Sequence, residues 1–223
     1  MATTMELTKE GSVYVLTLTN GDHGNTISED VVNEYQDILD ELEASTENAA
    51  LILTSSDPKF WCNGVNLSWI IQQPPDYFPK FVQILDELFL RFTLLNMPTI
   101  GCLTGHTYAG GALLASTLDF RLMRKDKGFF CFPEVDIKIP FSPLMYEILR
   151  LQYDFQTLNE LLLTGRRLGG IEALTMKIVS AVYPQKELFN KAMELATSLA
   201  EKDRKTYAHI KRGLRQYLMK FTL

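Results

Sequence analysis

Phe60-Trp61-Cys62-Asn63-Gly64-Val65-Asn66-Leu67 and Gly105-His106-Thr107-Tyr108-Ala109-Gly110-Gly111-Ala112-Leu113-Leu114 are the two stretches on which the reading of this chain turns. Each follows a short apolar segment and sets glycine among small or apolar residues, where a strand hands over to a helix. A junction of that kind aims backbone N–H groups at one point outside the sheet. Taken singly, Gly64, Gly110 and Gly111 are accounted for by tight turns and close helix packing. Taken together, two N–H groups converging from separate segments make an oxyanion hole, the main electrostatic device for holding an enolate or a tetrahedral oxyanion. A carboxylate follows at a strand–loop edge: Glu134, in Phe129-Phe130-Cys131-Phe132-Pro133-Glu134-Val135-Asp136-Ile137. The combination points to an enzyme acting on an activated carbonyl.

Outward from these stretches, strands and helices alternate. Val13 to Thr19 has the two-residue period of a half-buried strand, and Asn20 to Asn25 is turn chemistry. Thr26 with Glu29 makes a capping box for a helix carrying Val31, Tyr35, Ile38, Leu39 and Leu42. Ala50 to Thr54 is an apolar strand covered on both faces. Gln72 to Pro79, with three prolines, is a loop. An amphipathic helix follows through Phe81, Ile84, Leu85, Leu88, Phe92 and Leu95. Pro98 stops it, and Thr99 to Leu103 is the next strand. The Gly105–Gly111 loop feeds a helix ending near Asp119, and Phe120–Met123 and Phe129–Phe132 are strands. Beyond Pro143 the chain is mostly helical, with a short strand at Ser180–Tyr183. The class is α/β with a largely parallel sheet and C-terminal helices laid against it.

The bulk properties exclude several function classes. The chain has 223 residues, 46% of them hydrophobic, enough for one sizeable core and a small C-terminal extension. A net charge of −5 argues against a nucleic-acid-binding surface. Cys62, Cys102 and Cys131 form neither a disulfide framework nor a metal set, and fit a reducing, cytoplasmic compartment. The first residues lack the basic and apolar regions of a secretory signal. No apolar run is long enough to span a bilayer, and Phe221-Thr222-Leu223 is not the Ser-Lys-Leu peroxisomal address.

Glu134 has two accounts. A carboxylate beside a buried strand is usually a surface charge, but apolar surroundings raise its pKa and make it a general base. Asp136, two residues on, shares its side if the segment is extended. Among the histidines, His23 sits in a polar turn, His106 in the glycine loop and His209 on a basic helix face. None is paired with a serine or cysteine at a nucleophile's spacing. Cys62 and Cys131 have no activating partner.

On these residues the chain resembles the crotonase superfamily, the enoyl-CoA hydratase/isomerase fold. Phe60–Leu67 is similar to its F-[CS]-A-G-x-D-[LI] stretch, and Gly105–Leu114 to its N-G-x-x-x-G-G-G stretch. Phe129–Ile139 resembles the segment bearing its distal glutamate, and Leu163-Thr164-Gly165-Arg166-Arg167-Leu168 with Glu172-Ala173 its L-T-G run. The block Gly105–Pro140 looks closest to monofunctional Δ3-Δ2-enoyl-CoA isomerases. The resemblance implies a spiral ββα core over 1–185 and a shortened C-terminal helical trimerisation region over 186–223. It also implies an acyl-CoA substrate from fatty-acid β-oxidation, no metal or other cofactor, and a homotrimer or dimer of trimers. The oxyanion donors would be the N–H groups of Val65 and Gly110, with Glu134 as the single acid/base. Hydratases carry a further glutamate where this chain has Leu113. Asn63, Gly64, Asn66, Leu67, Leu113, Phe132, Pro140 and Phe141, with Ile139, would line the substrate. Asn66 stands in place of the family's aspartate, and Ala109 in place of the first glycine of the triplet, a change that suits a negative φ. His23 and Lys211 would meet the CoA phosphates. The alternatives are another crotonase-type enzyme (thioesterase, decarboxylase or hydratase) or a catalytically silent acyl-CoA-binding protein.

Overall fold

The computed structural model describes residues 3–222. In chain order the elements are β1 (Met5–Glu10), β2 (Val13–Leu18), α1 (Glu29–Ala44), β3 (Ala50–Ser55), β4 (Phe60–Cys62), α2 (Leu67–Ile70), α3 (Tyr77–Leu94) and β5 (Thr99–Leu103). They continue as β6 (His106–Tyr108), α4 (Gly110–Thr117), β7 (Phe120–Arg124), β8 (Phe130–Cys131), α5 (Glu134–Ile137), α6 (Pro143–Gln152) and α7 (Phe155–Thr164). The chain closes through α8 (Gly170–Thr175), β9 (Ala181–Tyr183), α9 (Gln185–Ala200) and α10 (Arg204–Leu214). A six-stranded sheet runs β1-β2-β3-β5-β7-β9, parallel except for the β1–β2 pair. A small parallel sheet, β4-β6-β8, carries the strand ends that lead into the two glycine stretches.

Both faces of the central strands β2, β3 and β5 are covered, so they read as nearly continuous apolar runs. Val13, Val15, Ala50, Ile52, Ile100 and Cys102 face α9, whose Leu188, Ala192, Ala196 and Ala200 close that layer. The alternate residues Leu16, Leu51, Leu53 and Leu103 face the main core with α1, α3 and α4. From Gln185 to Phe221 the chain is mostly helical, and α9 lies within this second core. Trp61 pins the small sheet to the large one: it is fully buried and its Nε1 donates to the Leu53 carbonyl at 3.3 Å. Burying a ring of that size contributes roughly 3 kcal/mol.

Four local expectations are corrected. Helix α1 starts after Ser28, not Thr26, whose hydroxyl donates to the His23 carbonyl instead of capping. Pro79 lies inside the first turn of α3, where its missing N–H costs nothing. His106–Tyr108 is a strand, and Glu134 opens a one-turn helix. Strand β1 was not read from the sequence, since its exposed outer residues break the alternation.

The C-terminal helix α10 is tied down by buried cations at the ends of other helices. Arg204 donates to the carbonyls of Leu42 (2.6 Å) and Glu47 (3.0 Å), Lys211 to that of Met97 (3.0 Å), and Arg215 to that of Thr93. Leu42 and Thr93 lie in the last turns of α1 and α3, whose carbonyls lack intrahelical partners. Asp119 completes the clamp. It pairs with Lys211 at 2.9 Å and Arg215 at 2.7 Å, and accepts from the Thr99 N–H at 2.9 Å and the Tyr207 hydroxyl at 3.1 Å.

Candidate active site

After β4, Gly64 takes φ +78°. Val65 then forms a lone parallel bridge with Ile27: the Ile27 N–H donates to the Gly64 carbonyl (2.8 Å) and the Asn66 N–H to the Ile27 carbonyl (2.9 Å). Backbone alternation therefore turns the Val65 N–H away from Ile27, and it has no acceptor among the described residues. Gly110 is the first residue of α4, so its N–H is one of the amides that a helix start leaves unpaired, at the positive end of the helix. The two segments touch. A Cβ on Gly64 would stand 2.8 Å from the Gly110 nitrogen, and one on Gly111 would run into the Cys62 carbonyl. Only glycine permits that approach.

Ala109, between β6 and α4, has φ +50° and ψ −125°, against the negative φ that an alanine there led one to expect. It is held from both sides. Its N–H donates to the Cys131 carbonyl at 3.0 Å, and its carbonyl accepts from the Leu113 N–H at 3.0 Å. The strained conformation is what presents the Gly110 amide.

Pro133 and Glu134 turn the chain out of β8 into the single turn of α5, which ends at Lys138 in the left-handed region. Glu134 is 8% exposed, and its Oε2 is buried without a hydrogen-bond partner. Burial raises its carboxyl to about 7. The turn also corrects the reading of Asp136: on a helix it does not share Glu134's side, and it is exposed.

Glu134 stands where three hollows meet. An outer cavity of about 200 Å³ is bounded by Asn63, Val65, Leu67, Tyr108, Gly110 and Glu134. An inner one of about 60 Å³ shares Val65, Gly110, Glu134 and Ile139 with it and adds Leu113, Pro140 and Phe141. A groove of about 400 Å³ opens from Glu134 across Pro140 and Phe141 towards Tyr146 and Leu163. Val65, Gly110, Glu134, Asn63, Leu67, Leu113, Pro140 and Phe141 are thus brought together. Gly64 lies directly behind the two amides.

Other expected contacts are not made. Phe132 is fully buried behind the wall, edge-on to Phe141 at 5.8 Å. Asn66 caps α2, accepting from the Trp69 N–H at 3.0 Å, and does not line the cavity. His23 is exposed on its turn and lines none of the three hollows. Lys211 is buried in its pair with Asp119, away from the site. The sequence reading missed the walls that α3 and α6 supply to the inner cavity: Phe78, Val82, Leu85, Phe89 and Met145. The signal was present, because the apolar face of α3 is wider than one contact with a sheet requires.

The three cysteines line none of the hollows and are not activated. Burial pushes the thiols of Cys62 up to about 12 and of Cys102 and Cys131 up to about 11. Among the described residues no cluster of three or more His, Cys, Asp or Glu is arranged to hold a metal ion. The arrangement can accept a proton on a carboxylate in an apolar hollow while two amides stabilise negative charge on a carbonyl oxygen.

The profile of the family described as "Enoyl-CoA hydratase/isomerase" matches residues 8–221. The chain is 30% identical to Enoyl-CoA delta isomerase 2, peroxisomal, from Arabidopsis thaliana, over 93% of this chain and 90% of that protein. It is 28% identical to the Short-chain-enoyl-CoA hydratase of Clostridium acetobutylicum, over 86% and 74%. Its fold superposes on the crystal structure of an enoyl-CoA hydratase from Bacillus anthracis with a TM-score of 0.86 at 21% identity, over 98% of this chain and 90% of that one.

Proposed function

The chain belongs to the enoyl-CoA hydratase/isomerase family, and on that premise we propose that it is a Δ3-Δ2-enoyl-CoA isomerase. One observation carries the reading. Among the described residues Glu134 is the only carboxylate bounding the three hollows, its Oε2 has no partner, and an apolar Leu113 stands in the same inner cavity. Adding water across a double bond calls for two carboxylates to hold and activate that water; moving the bond needs one base.

In this mechanism the thioester oxygen of a 3-enoyl-CoA accepts hydrogen bonds from the Val65 and Gly110 N–H groups. The Glu134 carboxylate takes a proton from C2. The electron pair passes to the thioester oxygen as a dienolate, which the two amides stabilise more strongly than the neutral carbonyl. Glu134 returns the proton to C4, and the double bond comes to rest between C2 and C3. No atom is gained or lost. A pKa near 7 matches a group that must both take and give a proton at neutral pH. Exposed apolar side chains on α7 and α10, such as Phe155, Leu163 and Leu214, suit an interface between copies of the chain; a homotrimer or dimer of trimers is the assembly proposed.

The test uses purified protein with 3-hexenoyl-CoA and follows the absorbance of the conjugated 2-enoyl thioester. Conjugation should appear, with kcat/KM rising with pH through an apparent pKa near 7, because the carboxylate is the active form. Glu134→Gln should lower the rate about 10²- to 10⁴-fold. An undiminished variant, or a 3-hydroxyacyl product formed from 2-hexenoyl-CoA at a higher rate than isomerisation, overturns the reading.

A further inference from the structure

We propose a second binding site, separate from the one around Glu134, that takes a carboxylate carried on an apolar body. It lies between the end of α6, the start of β7 and α10, in a hollow of about 540 Å³. That hollow shares no lining residue with the three around Glu134. The inference depends on no point of the isomerase reading.

The floor of the hollow is cationic. Asp119, Lys211 and Arg215 meet there, two positive charges against one negative, and the side chains of Lys211 and Arg215 are 4% and 10% exposed. Arg121, buried beside Gln152, adds a third cation. It donates to the carbonyls of Ala115, Leu118 and Ile178 and to the Gln152 Oε1 at 2.9 Å, and to no carboxylate among the described residues. A buried charge without a counter-ion is costly. Asp119 does not offset both of its neighbours: burial holds the Lys211 ammonium down at about 8, although Asp119 pulls it up.

The same floor has donors to spare and no free carboxylate. The Lys211 ammonium carries three N–H groups and uses two, on the Met97 carbonyl and Asp119. Arg215 carries five and uses two, on the Thr93 carbonyl and Asp119. Gln152 spends its Oε1 on Arg121, and its NH2 group has no acceptor among the described residues. Asp119 is filled: Oδ1 accepts from Arg215, and Oδ2 from Thr99, Tyr207 and Lys211. A ligand group that accepts hydrogen bonds and brings one negative charge answers both the spare donors and the spare charge, and a carboxylate is such a group.

The rim is apolar. Leu151 and Ile210 border the hollow with 37% and 55% of their surface exposed, and Phe120 lines it with them. A small inorganic anion leaves these side chains in water. An apolar body covers them while its headgroup reaches the floor.

Calorimetric titration of the purified protein with octanoate, 1-octanol and octyltrimethylammonium tests the assignment. Octanoate should bind once per chain. Octanol should bind at least about tenfold more weakly, because a charge-assisted hydrogen bond is lost, and the ammonium should not bind. Ile210→Glu sets a carboxylate on the exposed rim without touching the core, and should weaken octanoate binding about tenfold or more. Glu134→Gln should bind octanoate as the wild type does. Octanol that binds as tightly as octanoate overturns the proposal. So does undiminished affinity in Ile210→Glu, or loss of binding in Glu134→Gln, which would put the ligand in the other site. Leu214 borders this hollow and also belongs to the apolar surface that suits an interface between copies. Sedimentation velocity on the same samples separates the two occupants. Octanoate that binds only as an assembly dissociates, or no binding to an assembled protein, shows that a second copy fills the hollow and overturns the proposal as well. Conjugation of 3-enoyl-CoA enters none of these readouts, so the isomerase reading stands or falls apart from them.

Discussion

Glu134 is held where its charged form is disfavoured, and the fold bears that cost. Its carboxyl is raised from 4.5 to about 7 by burial, so the native state binds the proton more tightly than the unfolded chain does. The native state is then at full advantage below about pH 4.5 and loses stability as pH rises through about 7. Two and a half pH units correspond to at most about 3 kcal/mol. Glu134→Gln should therefore melt several degrees higher than the wild type at about pH 8.5 and at the same temperature at about pH 4. Equal melting temperatures at the alkaline pH would show that water reaches the carboxylate. At this scale the sequence was partly legible. The apolar run around Glu134 announced a perturbed acid, and Leu113 marked a missing second one. Asn66 and Lys211 were misjudged because their partners, the Trp69 amide and the Asp119 carboxylate, are set by local and long-range geometry. Asp136 failed for a simpler reason: whether it faces Glu134 depends on one turn of helix that four residues cannot signal.

Elements with a measurable period were readable: β2, β3, β5, α1 and α3 all lie within a few residues of where alternation or helical spacing put them. The small sheet was less so. Its strands have three, three and two residues, too few to express a two-residue period, and β6 was taken for loop. Yet this sheet brings Val65, Gly110 and Glu134 to one place. The junction from β6 to α4 carries the clearest strain. An alanine at φ +50° costs about 1–3 kcal/mol, against the 0.5–1 kcal/mol that glycine loses in chain entropy. Ala109→Gly should thus stabilise the protein by about 1 kcal/mol in urea denaturation while conjugating activity is retained. A destabilised variant would mean that the alanine methyl contributes packing worth more than the strain.

For the molecule as a whole, the C-terminal third was legible as helices and illegible as a clamp, since nothing in the order Arg204, Lys211, Arg215 says which carbonyls they will reach. Burial alone would raise the carboxyl of Asp119, but Lys211 and Arg215 hold it below the usual carboxylate range. Its contribution is present at neutral pH and lost as the solution is acidified through that lowered pKa. Asp119→Ala strands two buried cations and should cost about 3–5 kcal/mol, read as a lower urea midpoint; a loss under 1 kcal/mol would show that water replaces the carboxylate. The three cysteines make such opening visible. Cys102 belongs to the large sheet, Cys62 and Cys131 to the small one, and all are buried with thiols too basic to react while enclosed. An alkylating reagent such as N-ethylmaleimide thus becomes a clock for unfolding. If mass spectrometry finds three adducts arriving in step, the two sheets melt as a single cooperative unit; if the pair is tagged ahead of Cys102, the catalytic half breathes on its own.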